Sequence, residues 1–164
     1  MSIGKQLIER LRESAEQPAD GAPLSVAAAG AQAQLAFFDR DRYSVTLRDL
    51  TVGSGAAAPE DTRAFLSATA AEVARRLSFL EEPLAVWELD GGEGMAQLRS
   101  SPPQREGEEL SYWEVTLTAA EPAARAARYR WAPGMAEREP VAYPATFALL
   151  GRMADALAGA LAEH

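Results

Sequence analysis

"SYWEVTL", residues 111–117, sets Trp113, Val115 and Leu117 on one side of a strand and Tyr112 with Glu114 on the other, because successive side chains of extended backbone point to opposite faces. Which side goes inward decides the fold around it. Apolar bulk assigns Trp113, Val115 and Leu117 to the interior and leaves Glu114 and Tyr112 facing water or a guest. A near copy, "RYSVTL" at 42–47, places Val45 on Val115, Thr46 on Thr116, Leu47 on Leu117 and Tyr43 on Trp113. Both segments read as central strands of an antiparallel sheet.

Towards the N-terminus, Ser2 offers an N-cap to a helix over 2–17 whose Ile3, Leu7 and Leu11 fall four apart with Ile8 alongside. "PADGAP" at 18–23 ends it. "PLSVAAA" and "AQAQLAF" then read as strands, with Ala33, Leu35 and Phe37 on one face of the second and "DRDR" as the turn before Tyr43, Val45 and Leu47. The connector "GSGAAAPED" leads into a central helix, with Pro59 suited to the first turn and Glu60 and Asp61 favourable near its positive end. Its buried stripe is Leu66, Thr69, Ala70, Val73, Leu77 and Leu80, and Pro83 closes it.

A hairpin follows, "LAVWEL", "DGGEG", "MAQLRS", in which Trp87, Leu89, Ala96 and Leu98 share the inner face if no bulge intervenes. "SPPQREGEE" reads as a polar loop. After the 111–117 strand, "RAARYRW" reads as another with Ala127, Tyr129 and Trp131 inward, and "APGMAEREPVAYP" turns away from the sheet. Phe147, Leu150, Met153, Ala154, Leu157 and Leu161 form the stripe of a C-terminal helix.

The expected fold is one α+β domain over 1–164: an antiparallel sheet of about six or seven strands, with N-terminal, central and C-terminal helices packed on one face and at the ends. A βββα unit used twice, its second copy lengthened, would give this order. The competing and preferred explanation is that half-buried strands favour Tyr, Val, Thr and Leu in general. In layout alone, with no motif carrying it, the order is similar to that of small acidic bacterial secretion chaperones, which also combine flanking helices with a bent antiparallel sheet. Such a likeness does not fix function.

The 164 residues are enough for one core that buries roughly two-thirds of the unfolded chain's surface. A hydrophobic share of 48% beside 24% charged residues is that of a folded globular domain. The net charge of -8 opposes general affinity for nucleic acid, whose binding needs clustered positive charge. No apolar run approaches a membrane span and the first residues show no signal-peptide core, so the expectation is a cytoplasmic protein with neither nucleic-acid nor membrane partners. Lys5 is the one lysine among sixteen basic residues. With its alanine runs, that bias suits a GC-rich bacterial genome.

With no cysteine, thiolate chemistry and disulfides are excluded. The single histidine, His164, is the last residue, where fraying is expected to deny it the orienting partners that a base or ligand needs. No phosphate-binding glycine loop, nucleophile elbow or zinc motif occurs. Asp90 and Glu93 in "DGGEG" read as turn residues before calcium ligands. Neither a catalytic residue, nor a metal, nor a cofactor is therefore assigned.

The remaining candidates lie on the polar sheet face, where Glu88, Gln97, Arg99, Glu114, Arg128 and Arg130 are expected together, with Glu114 meeting Arg128 or Arg130 across strands. Arg99, Tyr112, Glu114, Arg128 and Arg130 are the candidate binding residues. Phe38 and Val86, with Tyr112, are candidates for an apolar interface patch. These features point to a non-catalytic adaptor or chaperone-like module, homodimeric and binding a protein segment. The alternative is a small-molecule binder or enzyme with a carboxylate and arginine cleft, favoured if a cavity of several hundred Å³ lies beside those residues.

Overall fold

A computed structural model describes residues 1–13 and 22–162. In chain order the elements are α1 (Ile3–Glu13), β1 (Leu24–Ala28), β2 (Ala31–Arg40), β3 (Ser44–Gly53), α2 (Thr62–Arg76), β4 (Leu84–Asp90) and β5 (Met95–Ser100). Then come β6 (Gln104–Glu106), β7 (Glu109–Thr118), β8 (Ala123–Trp131), β9 (Glu139–Pro140), β10 (Tyr143–Thr146) and α3 (Phe147–Ala162). The chain is α+β, as its pattern of segregated strands and helices requires. The main path of the sheet runs β1-β2-β3-β8-β7-β5-β4, all antiparallel, with β6, β9 and β10 added beside β7, β8 and β3. No described helix is long and apolar enough to cross a membrane.

Each of the three α-helices begins where its sequence supplies an acceptor. Ser2 Oγ accepts from the Lys5 amide, Asp61 from that of Ala64 and Thr146 Oγ1 from that of Leu149, satisfying donors that have no partner within the helix. Asp61 itself is therefore the cap of α2, and Pro59 lies ahead of the helix, outside its first turn. The expected stripes of α2 and α3 are buried in full. The part of the expected first helix beyond Glu13, most of "PADGAP" and His164 lie outside the described residues.

α1 and α3 meet at glycines. A Cβ on Gly4 would collide with the Gly151 carbonyl and with Asp155, and one on Gly151 would strike Ile8. Asp155 uses that proximity, accepting from the Gly4 amide at 2.7 Å and from Ser2 Oγ at 3.1 Å. A carboxylate from one helix thus caps the positive end of another.

The strand cores follow alternation except where bulges shift it. Val45 and Leu47 are buried, but so are Leu50 and Val52, because the β2–β3 register slips at Ala36/Phe37 and Phe37/Asp39 and moves the inward parity by one residue. Tyr43 is not inward as alternation suggested. It precedes β3, 71% exposed, in a turn built by Asp41, which accepts from the amides of Tyr43 and Ser44. Those bonds hold the Asp41 carboxyl below its ordinary value.

The repeated hexads do not occupy equivalent places. β3 and β7 flank β8, the middle strand of the path, but Val115 and Leu117 pair with β8 whereas Val45 and Leu47 pair with β2 and β10. Superposing the sequences also matches exposed Tyr43 with Trp113, which is 1% exposed. The likeness of the hexads thus does not extend to their pairing partners or to their exposure.

Replacing Gly151 by Val should force Ile8 and α1 away from α3 and cost about 1–3 kcal/mol. Urea denaturation measures it; an unchanged midpoint would mean that the helices do not meet at this contact.

Candidate functional site

β7 is covered on both sides. Trp113, Val115 and Leu117 face the helices, and Tyr112 and Glu114 are buried on the opposite face. The register explains which neighbours they have: Tyr112 lies opposite Tyr129, Glu114 opposite Ala127 and Arg99, and Trp113 opposite Arg128. The odd-numbered residues of β8 therefore lie on the face away from the helices, and its even-numbered residues lie on the helix side.

This corrects the expected assignment of β8. Ala127 and Tyr129 are buried, but in a second cluster with Tyr112, and Trp131 is partly exposed on that same face. The positions facing the main core are Ala124, Ala126 and Arg128. Val115 pairs with Ala126 and Leu117 with Ala124, so β7 supplies bulk where β8 supplies space. Aromatic bulk alone gave the wrong parity because the second face has an interior of its own.

The segment expected to turn away from the sheet instead closes that second interior. Residues 132–142 return across β8: Trp131 Nε1 donates to the Met135 carbonyl at 3.1 Å, β9 pairs with Tyr129 and Arg130, and the Val141 amide donates to the Arg128 carbonyl at 2.8 Å. This strap brings Arg138 to Glu114. Arg138 Nη2 donates to Glu114 Oε2 at 2.9 Å, and Arg99 Nε donates to Oε1 at 3.2 Å. A carboxylate only 2% exposed is so held between two guanidiniums, the arrangement that makes burial of a charge tolerable.

Aromatic rings hold the arginines in turn. Arg99 lies 4.9 Å from the Trp87 ring centroid and 5.2 Å from that of Tyr112, and Arg138 lies 4.4 Å from that of Tyr129. Trp87 reaches this face through a bulge: Val86 pairs with Leu98 and Glu88 with Gln97, leaving Trp87 as the extra residue. It is 64% exposed and was expected in the core. Burial raises the Tyr112 phenol above its ordinary value, while Arg99 and Arg138 pull in the opposite direction.

Between strap, sheet and Trp87 runs a groove of about 910 Å³ lined by Trp87, Arg99, Tyr112, Tyr129, Trp131 and Arg138, with Pro103, Glu137 and Pro140 among the rest. Of the five expected binding residues, Arg99 and Tyr112 line it, and Glu114 joins them through its hydrogen bond from Arg99. Arg128 and Arg130 do not. Arg128 projects towards the helices, almost fully buried, over the rings of Trp113 and Tyr143 at 5.5 and 5.6 Å. It donates to both Glu82 oxygens, to Gln104 and to Ser111. Arg130 makes surface pairs with Glu109 and Glu139. The expected cross-strand pairing of Glu114 with either is replaced by Arg99 and Arg138.

The expected apolar patch is also divided. Phe38 sits at a bulge in β2, Val86 at the far end of the sheet opposite Leu98, and Tyr112 is buried. Sequence reading missed Arg138, Tyr129, Trp87 and Trp131 as groove residues. Nothing in "MAEREP" marks Arg138, whose position depends on the path of the strap. Among the described residues no cluster of three or more potential metal-ligating side chains occurs. Comparison with family models, curated proteins and solved structures finds no match to this chain.

Replacing Glu114 by Gln should leave two guanidiniums with a neutral partner and lower stability by about 1–3 kcal/mol, less than for a wholly buried pair because both arginines are partly exposed. Glu109→Gln at the surface pair should cost under about 0.5 kcal/mol. Equal urea midpoints for the two variants would refute a central role for the Glu114 pairing.

Proposed function

We propose that the protein is a non-catalytic binding module whose groove receives a small molecule with an apolar, planar body. The observation that carries this reading is the concentration of four aromatic side chains and two arginines in one cleft. Such a cleft combines apolar walls with a few fixed polar groups, as ligand sites do. Its one buried carboxylate has both oxygens committed to arginine, which favours a structural role over proton transfer. The groove lies beside Arg99 and Tyr112, so the small-molecule reading takes precedence over the adaptor reading.

The three tryptophans provide an internal control, since Trp87 and Trp131 line the groove and Trp113 is buried on the other face. In proton–nitrogen correlation spectra with an aromatic fragment library, fragments should shift the indole signals of Trp87 and Trp131 and leave that of Trp113 in place. A library that moves neither groove signal would refute the reading.

One observation favours a second reading, in which the module also meets a protein segment or a second copy of itself. β4 ends the main path of the sheet with Val86 and Trp87 exposed, and an edge strand with apolar side chains is a template for strand addition. On this reading light scattering gives the mass of a dimer, and Val86→Lys returns it to that of a monomer. A wild-type monomer at all concentrations would refute self-association through this edge.

A further inference from the structure

Arg99 is held in a way that leaves one edge of its guanidinium uncommitted. Its hydrogen bonds to Glu114 and Gln97, both at 3.2 Å, use Nε. Neither terminal amino group has a hydrogen-bond partner among the described residues. Trp87 and Tyr112 cover it, so rotation cannot readily present a different edge, and Arg99 lines the groove. Two N–H donors on a fixed planar fork match the two oxygens of a carboxylate.

The surroundings decide the sign and number of charges on the guest. An aromatic cleft suits a cation when its ring faces are open, but here Arg99 lies against Trp87 and Tyr112, and Arg138 against Tyr129. A cationic guest would therefore compete with resident guanidiniums. Glu114 is spent on both arginines, while Glu137 lines the groove from the strap. A second anionic group on the guest would meet that carboxylate. Trp131, fixed through Nε1 to the Met135 carbonyl, is the groove ring with no arginine over it among the described residues, and it offers a face for stacking.

We infer that the guest is a planar aromatic monocarboxylate, its carboxylate taken by the terminal amino groups of Arg99 and its ring system placed against Trp131. This inference rests on the small-molecule reading of the groove and specifies the ligand class for it. Arg99 is the anchor and Glu114 a positioning residue, because Glu114 fixes the fork without touching the guest.

Calorimetric titration of the full chain with 2-naphthoate and with its neutral isostere 2-naphthamide separates the two levels. Naphthoate should bind about tenfold more tightly or better, as a charge-assisted bidentate contact implies. Arg99→Lys, which keeps the charge but loses the fork, should reduce that preference to about threefold or less, with the circular-dichroism spectrum unchanged. Should Arg99→Lys fail to fold, Trp131→Ala serves as the second variant, weakening both probes together and preserving their ratio. Equal affinity for the two probes would overturn the carboxylate assignment while leaving the groove a ligand site. Displacement of naphthoate by inorganic phosphate at comparable concentration would overturn the requirement for a planar body. Binding of neither probe up to its solubility limit would overturn this inference, whereas the fragment spectra separately decide whether the groove binds anything.

Discussion

A carboxylate sealed under a strap cannot be left alone, and the non-helical half of this molecule is organised by that constraint. Glu114 sits near the centre of β7, beneath residues 132–142. Burying such a charge without partners would cost on the order of several kcal/mol. Two arginines solve the problem from different directions, Arg99 from the neighbouring strand and Arg138 from the strap. The rings of Trp87, Tyr112 and Tyr129 then fix the guanidinium planes. The groove is what remains between these fixed parts.

The two faces of the sheet thus follow different physical rules. Towards the helices, stability comes from close apolar packing, with α1 and α3 meeting at Gly4 and Gly151 and large residues on β7 set against alanines on β8. Away from the helices, polar and aromatic groups satisfy one another in a partly open cleft. Arg128 marks the end of the first regime: buried against Trp113 and Tyr143, it pairs with Glu82 and has both terminal amino groups committed, so it lacks the uncommitted fork that makes Arg99 suited to a guest. Geometry distinguishes two arginines that composition treats alike.

Pairing register is the link between strand sequence and site. One extra residue at Trp87 moves that indole from the expected interior to the groove wall, and the alignment of β8 on β7 decides that Tyr129, not Arg128, joins Tyr112. A shift of one residue would exchange the faces of a strand. The groove therefore depends on backbone alignment as much as on side-chain identity.

The sequence by itself determined the elements whose patterns are local: the stripes of the central and C-terminal helices, the N-cap of the first, the inward Trp113, Val115 and Leu117, and the antiparallel α+β character. Periodicity of 3.6 or 2 and the chemistry of caps and turns act within a few residues. It also singled out Arg99, Tyr112 and Glu114, together with Arg128 and Arg130 that lie elsewhere, because polar or amphipathic groups on a strand with a strongly apolar opposite face are conspicuous. Only the tertiary structure decided that this second face is itself covered. The responsible contacts, Arg138 with Glu114 and the strap with β8, join residues whose meeting depends on the path of an irregular segment, and no alternation encodes that path. The bulge at Trp87 and the parity of β8 depend likewise on the partner strand, since a strand's faces acquire an inside and an outside only when its neighbours are in register.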